Sequence, residues 1–305
     1  MLLTPHRLKS WGLAQATAWA LTLGLAFVAP TAASAAESDM ESAIRAMKAA
    51  QVTGPADIKL RDQATLKLPA GYVWVPEPAA GELMRALGNH PDEREMGLIL
   101  PQSEDQNWMI VADYESSGYI KDDDAKDWNV DDLFKSLKEG TEEANKDRAA
   151  RGFAELEIIG WVEKPTYTAA THRLVWSMSA KDKGAPANAP VGINYNTYAL
   201  GREGYISMNL LTSLNHVAQD KDHVQTLLSA LSFNDGKRYA DFDSSTDKVA
   251  EYGLAALVGG LAAKKLGMFA LAAGLFAKFA KVIVLGGAAV VGVFTKFFKR
   301  NKDQG

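Results

Sequence analysis

The architecture of the chain turns on 192-GINYNTYALGREGYISMNLL-211. Gly192 to Leu200 and Tyr205 to Leu211 read as strands from their β-branched and aromatic content. Between them lies Gly201-Arg202-Glu203-Gly204, a hairpin turn whose glycines supply positive φ. Two strands joined so tightly turn back on one another and pair antiparallel.

Working upstream, His172 to Ser179 is another strand, with His172, Leu174 and Trp176 on one face. Lys183-Gly184 is its turn, and Glu155 to Val162 is the strand before it. Gln63 to Leu68 alternates as a strand and turns at Pro69-Ala70-Gly71, and Gly97 to Leu100 and Trp108 to Tyr114 are strands as well. Helices are expected over 37–53, with Ile44 and Met47 inward and Gly54-Pro55 as the stop, and over 77–87, stopped by Gly88-Asn89. A third runs over 131–151, acidic in its first turn and followed by Gly152, and a fourth closes the domain over 216–231. Gly236 to Asp247 reads as a polar linker. Strands in runs with helices before and after them predict an α+β fold, a largely antiparallel sheet covered by helices. The order of elements resembles the Mog1/PsbP-like α/β/α sandwiches.

The two ends are of another character. His6, Arg7 and Lys9 precede an uncharged stretch, Gly12 to Val28, then Pro30 and the small residues Ala33-Ser34-Ala35. This is the grammar of a cleaved signal peptide, residues 1–35, with a mature N-terminus at Ala36 or Glu37. No cysteine exists to carry a lipid, a disulfide, a thiolate metal site or a thiol nucleophile.

Residues 36–250 hold 35 acidic and 23 basic side chains, a net charge of −12, whereas residues 251–305 hold two acidic and eight basic. An acidic domain argues against nucleic acid as a partner, and a basic tail suits the anionic surface of a bilayer. Phe279 to Phe298 is expected to be a transmembrane helix. Its twenty residues match the hydrocarbon thickness, and Lys281 and Lys296 lie near its ends. Lys278, Lys281, Lys296, Lys299 and Arg300 are the expected membrane-interface residues, and 299–305 is a basic tail.

Before that span, small residues recur every seven positions: Gly253, Gly260, Gly267 and Gly274, each followed three residues later by Ala256, Ala263, Ala270 and Ala277. These eight residues predict a helix-packing seam over 246–278, through which the chain would associate with itself or with a membrane-protein partner. The folded domain is then expected to span 36–245, so that a chain stopped after Asp247 folds and stays soluble.

Several motifs resemble one family. They are Gln63-Ala64-Thr65-Leu66, the run Gly118-Tyr119-Ile120-Lys121-Asp122-Asp123-Asp124-Ala125-Lys126-Asp127-Trp128, Gly160-Trp161, and His172-Arg173-Leu174-Val175-Trp176-Ser177. With them go Asn194-Tyr195-Asn196-Thr197, Leu200 to Tyr205, Gly236-Lys237-Arg238-Tyr239 and Thr246 to Gly253. They resemble the bacterial membrane-anchored proteins grouped as domain of unknown function 2167, over residues from about 55 to 267. The resemblance implies an exported, membrane-anchored protein and brings no catalytic residues.

No catalytic grammar stands out. The acidic run from Asp122 fails as a calcium loop, because Lys126 stands at the fifth position, no glycine at the sixth and Leu133 at the twelfth. It reads as a polar loop with Asn129 or Asp131 capping the next helix. His90, His172, His216 and His223 show no metal spacing, and there is neither a nucleophile elbow nor a P-loop. Tyr239, Phe242, Lys237 and Arg238 stand just before the tail, where they would reach headgroups. The expectation is a non-enzymatic binding or interaction module without cofactor or metal. It would be anchored in the bacterial inner membrane, its main domain periplasmic and its C-terminal tail cytoplasmic, touching membrane lipid. The alternative is an envelope hydrolase or transferase with a dispersed site, built from Asp122 to Asp124, His172, Arg173, Arg202 and Glu203.

Overall fold

The computed structural model describes residues 29–259, apart from Gly88, His90, Glu104, Asp127 and 151–153. In chain order the elements are α1 (Ala29–Ala50), β1 (Val52–Thr53), β2 (Ala56–Leu60), β3 (Ala64–Leu68), β4 (Tyr72–Pro76), α2 (Ala79–Ala86), β5 (Glu95–Pro101) and β6 (Met109–Glu115). They continue with α3 (Val130–Ala150), β7 (Leu156–Thr168), β8 (Arg173–Asp182), β9 (Gly192–Leu200), β10 (Tyr205–Ser213), α4 (Val217–Ala230), β11 (Leu231–Phe233) and α5 (Ala255–Gly259).

The fold is α+β. Eight strands form one antiparallel sheet in the order β1-β4-β5-β6-β10-β9-β8-β7, and β11-β3-β2 form a second. The hairpin read first lies near the middle: β10 pairs β9 from Tyr205↔Leu200 to Ser213↔Gly192, and its other edge pairs β6. That strand is therefore buried along nearly its whole length, as a strand with neighbours on both edges and layers on both faces must be.

Alternation along each strand assigns the two faces. On one, Ile99, Ile110, Tyr195, Ile206 and Met208 pack against the small sheet and against Val224, Leu227 and Leu228 of α4. The other face divides. Val75, Leu98 and Val111 lie under α1 and α2, through Ile44, Met47, Leu83 and Met84. Leu174, Trp176, Tyr198 and Tyr205 lie under α3 and α5, through Leu133, Leu137, Leu254 and Val258.

The structure departs from the sequence expectations in several places. Helix α1 stops at Ala50, because Val52 and Thr53 pair with Trp74 and Val73 at the edge of the large sheet. The short strands β1, β2, β4 and β11 were not expected, since two to five residues carry too little periodicity to register. The boundary at 245 also falls inside the domain. Val249 bridges Tyr119 in parallel, and Leu254, Leu257 and Val258 are buried in the core under α3.

Gly253 is consequently no helical seam residue: it precedes α5, and a Cβ there would stand 2.5 Å from Asp124 Oδ2. Ala256 is in α5, and the remaining seam residues Gly260 to Ala277 lie outside the described residues, as do Lys278 to Arg300 and the span Phe279 to Phe298. Among the described residues, no helix is long and apolar enough to cross a membrane.

Candidate functional site

The motifs scattered through the sequence come together at one end of the large sheet, where the Gly118–Trp128 loop, the β7–β8 turn, the β9–β10 turn and residues 236–254 meet. Asp124 shows why. Its two carboxylate oxygens accept from the backbone N–H of Leu254 at 3.1 Å and of Ala255 at 3.0 Å. A helix start leaves N–H donors without intrahelical partners, and a carboxylate there satisfies them. The cap is 130 residues away in the chain, and only Gly253 leaves room for it.

Two further clamps hold the same segment. Arg202 grips Asp247 with both arms, Nε to Oδ2 at 2.6 Å and Nη2 to Oδ1 at 2.8 Å. Its Nη1 donates to Gly236 O at 3.2 Å. Glu203 accepts from Lys237 at 2.7 Å and from the buried Gln63 at 3.0 Å, and Lys237 also meets Asp62 at 3.0 Å. Tyr119 N donates to Lys248 O and Ala250 N to Tyr119 O, both at 2.8 Å. Gly118 makes that approach possible, with φ at +93° and a Cβ position 2.6 Å from Lys248 O.

Beside these clamps stands an aromatic stack. Phe242 lies on Tyr119 at 3.8 Å between centroids, Tyr119 on Tyr239 at 4.4 Å, and Tyr239 on His172 at 4.1 Å. Tyr239 donates to Ile120 O at 2.8 Å. Tyr167 O–H donates to Asp122 Oδ2 at 2.7 Å, and its oxygen lies 3.2 Å from His172 Nδ1. His172 holds a left-handed backbone, φ 50°, which costs a non-glycine residue about 1–2 kcal/mol.

Of the seven residues named for a dispersed active site, the structure therefore links only Asp122 and His172, through Tyr167. Asp124, Arg202 and Glu203 fasten backbone or tail. Asp123 opens an exposed 3-10 turn, and Arg173 points away to Leu228 O of α4. Asn129 caps α3, accepting from Asp131 N at 2.9 Å, as the loop reading expected. Lys237, Arg238, Tyr239 and Phe242, expected at headgroups, are instead engaged within the domain, Arg238 with Asp235 and the others as above. Among the described residues, no group of three or more histidines and carboxylates is placed to hold a metal.

Two features escaped the sequence reading. A shallow groove of about 480 Å³ is lined by Gly71, Tyr72, Gln102, Ser103, Gln106 and His223, with His223 Nδ1 2.9 Å from Tyr72 Oη and its ring stacked on Trp108. The second is a buried polar stripe on the helix-covered face, between its two apolar clusters. It runs from Asp113 through Ser207, which lies opposite it, to Asn209, Asn196 and Asn194, all under 5% exposed. The Oδ1 atoms of Asn194 and Asn209 make no hydrogen bond. Polar residues two apart in a strand otherwise built for a core were the signal available for it.

The clamps carry a pH prediction. The Arg202 guanidinium holds Asp247 well below the usual carboxylate range, and Lys237 lowers Glu203 and Asp62. A carboxylate depressed by folding stabilises the folded state above its unfolded pKa, and that contribution is lost as pH falls through the folded value. The segment around Asp247 is thus expected to loosen below about pH 4. Carboxyl 13C titration should give Asp247 a midpoint clearly below the ordinary aspartate range, rising towards it in Arg202→Gln. An unchanged midpoint in that variant would show that the clamp does not act in solution.

Comparison with known proteins places these residues in a wider group. The family model described as "Protein of unknown function (DUF2167)" matches residues 52–288. No curated protein matches the chain. The solution structure of cyanobacterial PsbP (CyanoP) from Synechocystis sp. PCC 6803 is similar over 60% of this chain and 91% of its own, at 11% identity and a TM-score of 0.34.

Proposed function

As the chain belongs to the DUF2167 family of proteins of unknown function, we propose that it is a membrane-anchored binding module of the bacterial envelope, without catalytic turnover. Its acidic domain faces the periplasm, and its apolar C-terminal segment lies in the inner membrane. The observation that carries this reading is the junction. Residues 246–259 lead directly into the apolar stretch, and they are not a linker. Asp124, Arg202 and Tyr119 hold their backbone and side chains, and three of their apolar side chains complete the core.

A flexible tether lets a domain search, whereas here the chain is held to the core as far as residue 259. Asp124 and Arg202, two of the seven residues named for a dispersed active site, serve that junction. Helix α1 begins at Ala29, before the expected cleavage site, and its described core contacts Ala43, Ile44 and Met47 lie after that site.

Cell fractionation tests the reading. The full chain is expected in the membrane pellet, resistant to alkaline carbonate, with a mature N-terminus at Ala36 or Glu37 by mass spectrometry. Its domain should be digested by protease added outside spheroplasts. A carbonate-soluble protein would overturn the anchoring, an intact segment from Met1 to Ala35 the cleavage, and a domain protected in spheroplasts the export.

A further inference from the structure

We propose that Nε2 of His172 is an oriented hydrogen-bond acceptor, a nucleophilic lone pair that takes a hydrogen bond from an O–H or N–H group of a ligand. The argument begins with one phenolic proton. Tyr167 spends it on Asp122 Oδ2 at 2.7 Å, so at its contact with His172, 3.2 Å away, the Tyr167 oxygen accepts. Burial and the Asp122 hydrogen bond keep that phenol protonated far above its usual range. Nδ1 of His172 must therefore carry the hydrogen, and in the neutral ring Nε2 keeps its lone pair.

One face of the ring is also held. It stacks on Tyr239 at 4.1 Å, and Tyr239 is pinned by Ile120 O and by the Tyr119–Phe242 stack. The backbone of His172 sits at φ 50°, and its carbonyl accepts from Leu200 N at 2.9 Å. Left-handed backbone in a non-glycine residue persists where surrounding structure over-determines it, and such positions cluster at ligand sites. All this orients a side chain that is only half-buried and whose Nε2 has no hydrogen-bond partner among the described residues.

The chemistry of the surroundings narrows the ligand. Behind the ring, Tyr167 links His172 Nδ1 to the Asp122 carboxylate. An anionic ligand would face Asp122 and the exposed Asp123 beside it. The class is therefore a neutral or cationic donor of O–H or N–H. This inference does not depend on the membrane reading: it concerns the domain alone.

The test uses the full chain in detergent, labelled with 15N-histidine and assigned with His172→Gln. At a pH where the ring is neutral, His172 is expected to show a protonated Nδ1 and an unprotonated Nε2. Tyr167→Phe keeps every ring contact and removes the hydroxyl, and it should return His172 to the mixed tautomers of a free imidazole. Diethyl pyrocarbonate reads the same lone pair. Nε2 attacks a carbonyl carbon, ethyl carbonate leaves and breaks down to ethanol and carbon dioxide, and the Nδ1 proton is lost.

Acylation of His172 relative to exposed His216, followed by peptide mass spectrometry, should fall a few-fold in Tyr167→Phe with the melting temperature little changed. An Nε2–H tautomer in the wild type, or a ratio unmoved by the variant, would overturn the proposal. Millimolar inorganic phosphate is expected to leave the His172 15N shifts in place; a saturable shift would overturn the ligand class.

Discussion

A chain stopped after Asp247 is expected to lose its fold, whereas one stopped after Gly259 is expected to keep it and to remain soluble. The twelve residues between the two stops look dispensable in sequence, being glycine- and alanine-rich and next to the tail. In the structure they bring Leu254, Leu257 and Val258 into the cluster under α3, at 0%, 8% and 2% exposure. Each such burial contributes about 1.5–3 kcal/mol, so together they supply roughly 5–9 kcal/mol as an upper figure.

That is of the order of a whole domain's stability, about 5–15 kcal/mol. The shorter chain also removes the hydrogen bond from Trp176 Nε1 to Leu257 O at 3.2 Å, and leaves Asp124 with no helix to cap. Urea unfolding followed by tryptophan fluorescence should give the longer chain a cooperative transition and the shorter one none, or one at far lower urea. Equal midpoints would mean that the segment only lies on the surface, and the proposed junction would go with it.

Gly118→Val is expected to be the most damaging single substitution at the motif-bearing end, costing about 2–6 kcal/mol. Two effects add. A branched residue at φ +93° is strained by about 1–3 kcal/mol, and its Cβ would stand 2.6 Å from Lys248 O, a clash of overpacking worth about 1–3 kcal/mol more. Relief would come from pushing residues 248–250 away, which opens the Tyr119–Val249 bridge.

Gly71→Ala is the control. Its φ of +89° is nearly the same, but nothing lies within 4 Å of the Cβ position. It should cost about 1 kcal/mol, the backbone strain alone. Hydrogen exchange at the Tyr119 and Ala250 amides should quicken in Gly118→Val and not in Gly71→Ala. Equal losses in the two variants would show that the close approach to Lys248 contributes nothing.

Local sequence was enough to establish the α+β class, strands β8, β9 and β10, the first half of β7, and helices α2, α3 and α4 to within a few residues. Each of those elements carries its own evidence. A run of β-branched and aromatic residues or an acidic first turn is a property of ten to twenty neighbouring residues, and glycine at a turn is a property of one. The charge contrast between domain and tail was equally legible, being a sum over side chains that needs no geometry.

What the motifs are for emerged only once the chain was folded. Asp124 reads as one of three aspartates in a polar loop; that it caps Leu254 and Ala255 depends on where a segment 130 residues later returns. Asn194, Asn196 and Asn209 read as polar positions in strands. They share a buried stripe with Asp113 because β6, β10 and β9 are neighbours in the sheet, an order set by long-range packing. His172 was expected on a strand with Leu174 and Trp176. It sits instead in the left-handed turn before β8, where its ring meets Tyr167 and, through it, Asp122. Local periodicity tells which face of an element turns inward, and the identity of what waits there is written in no single stretch of the chain.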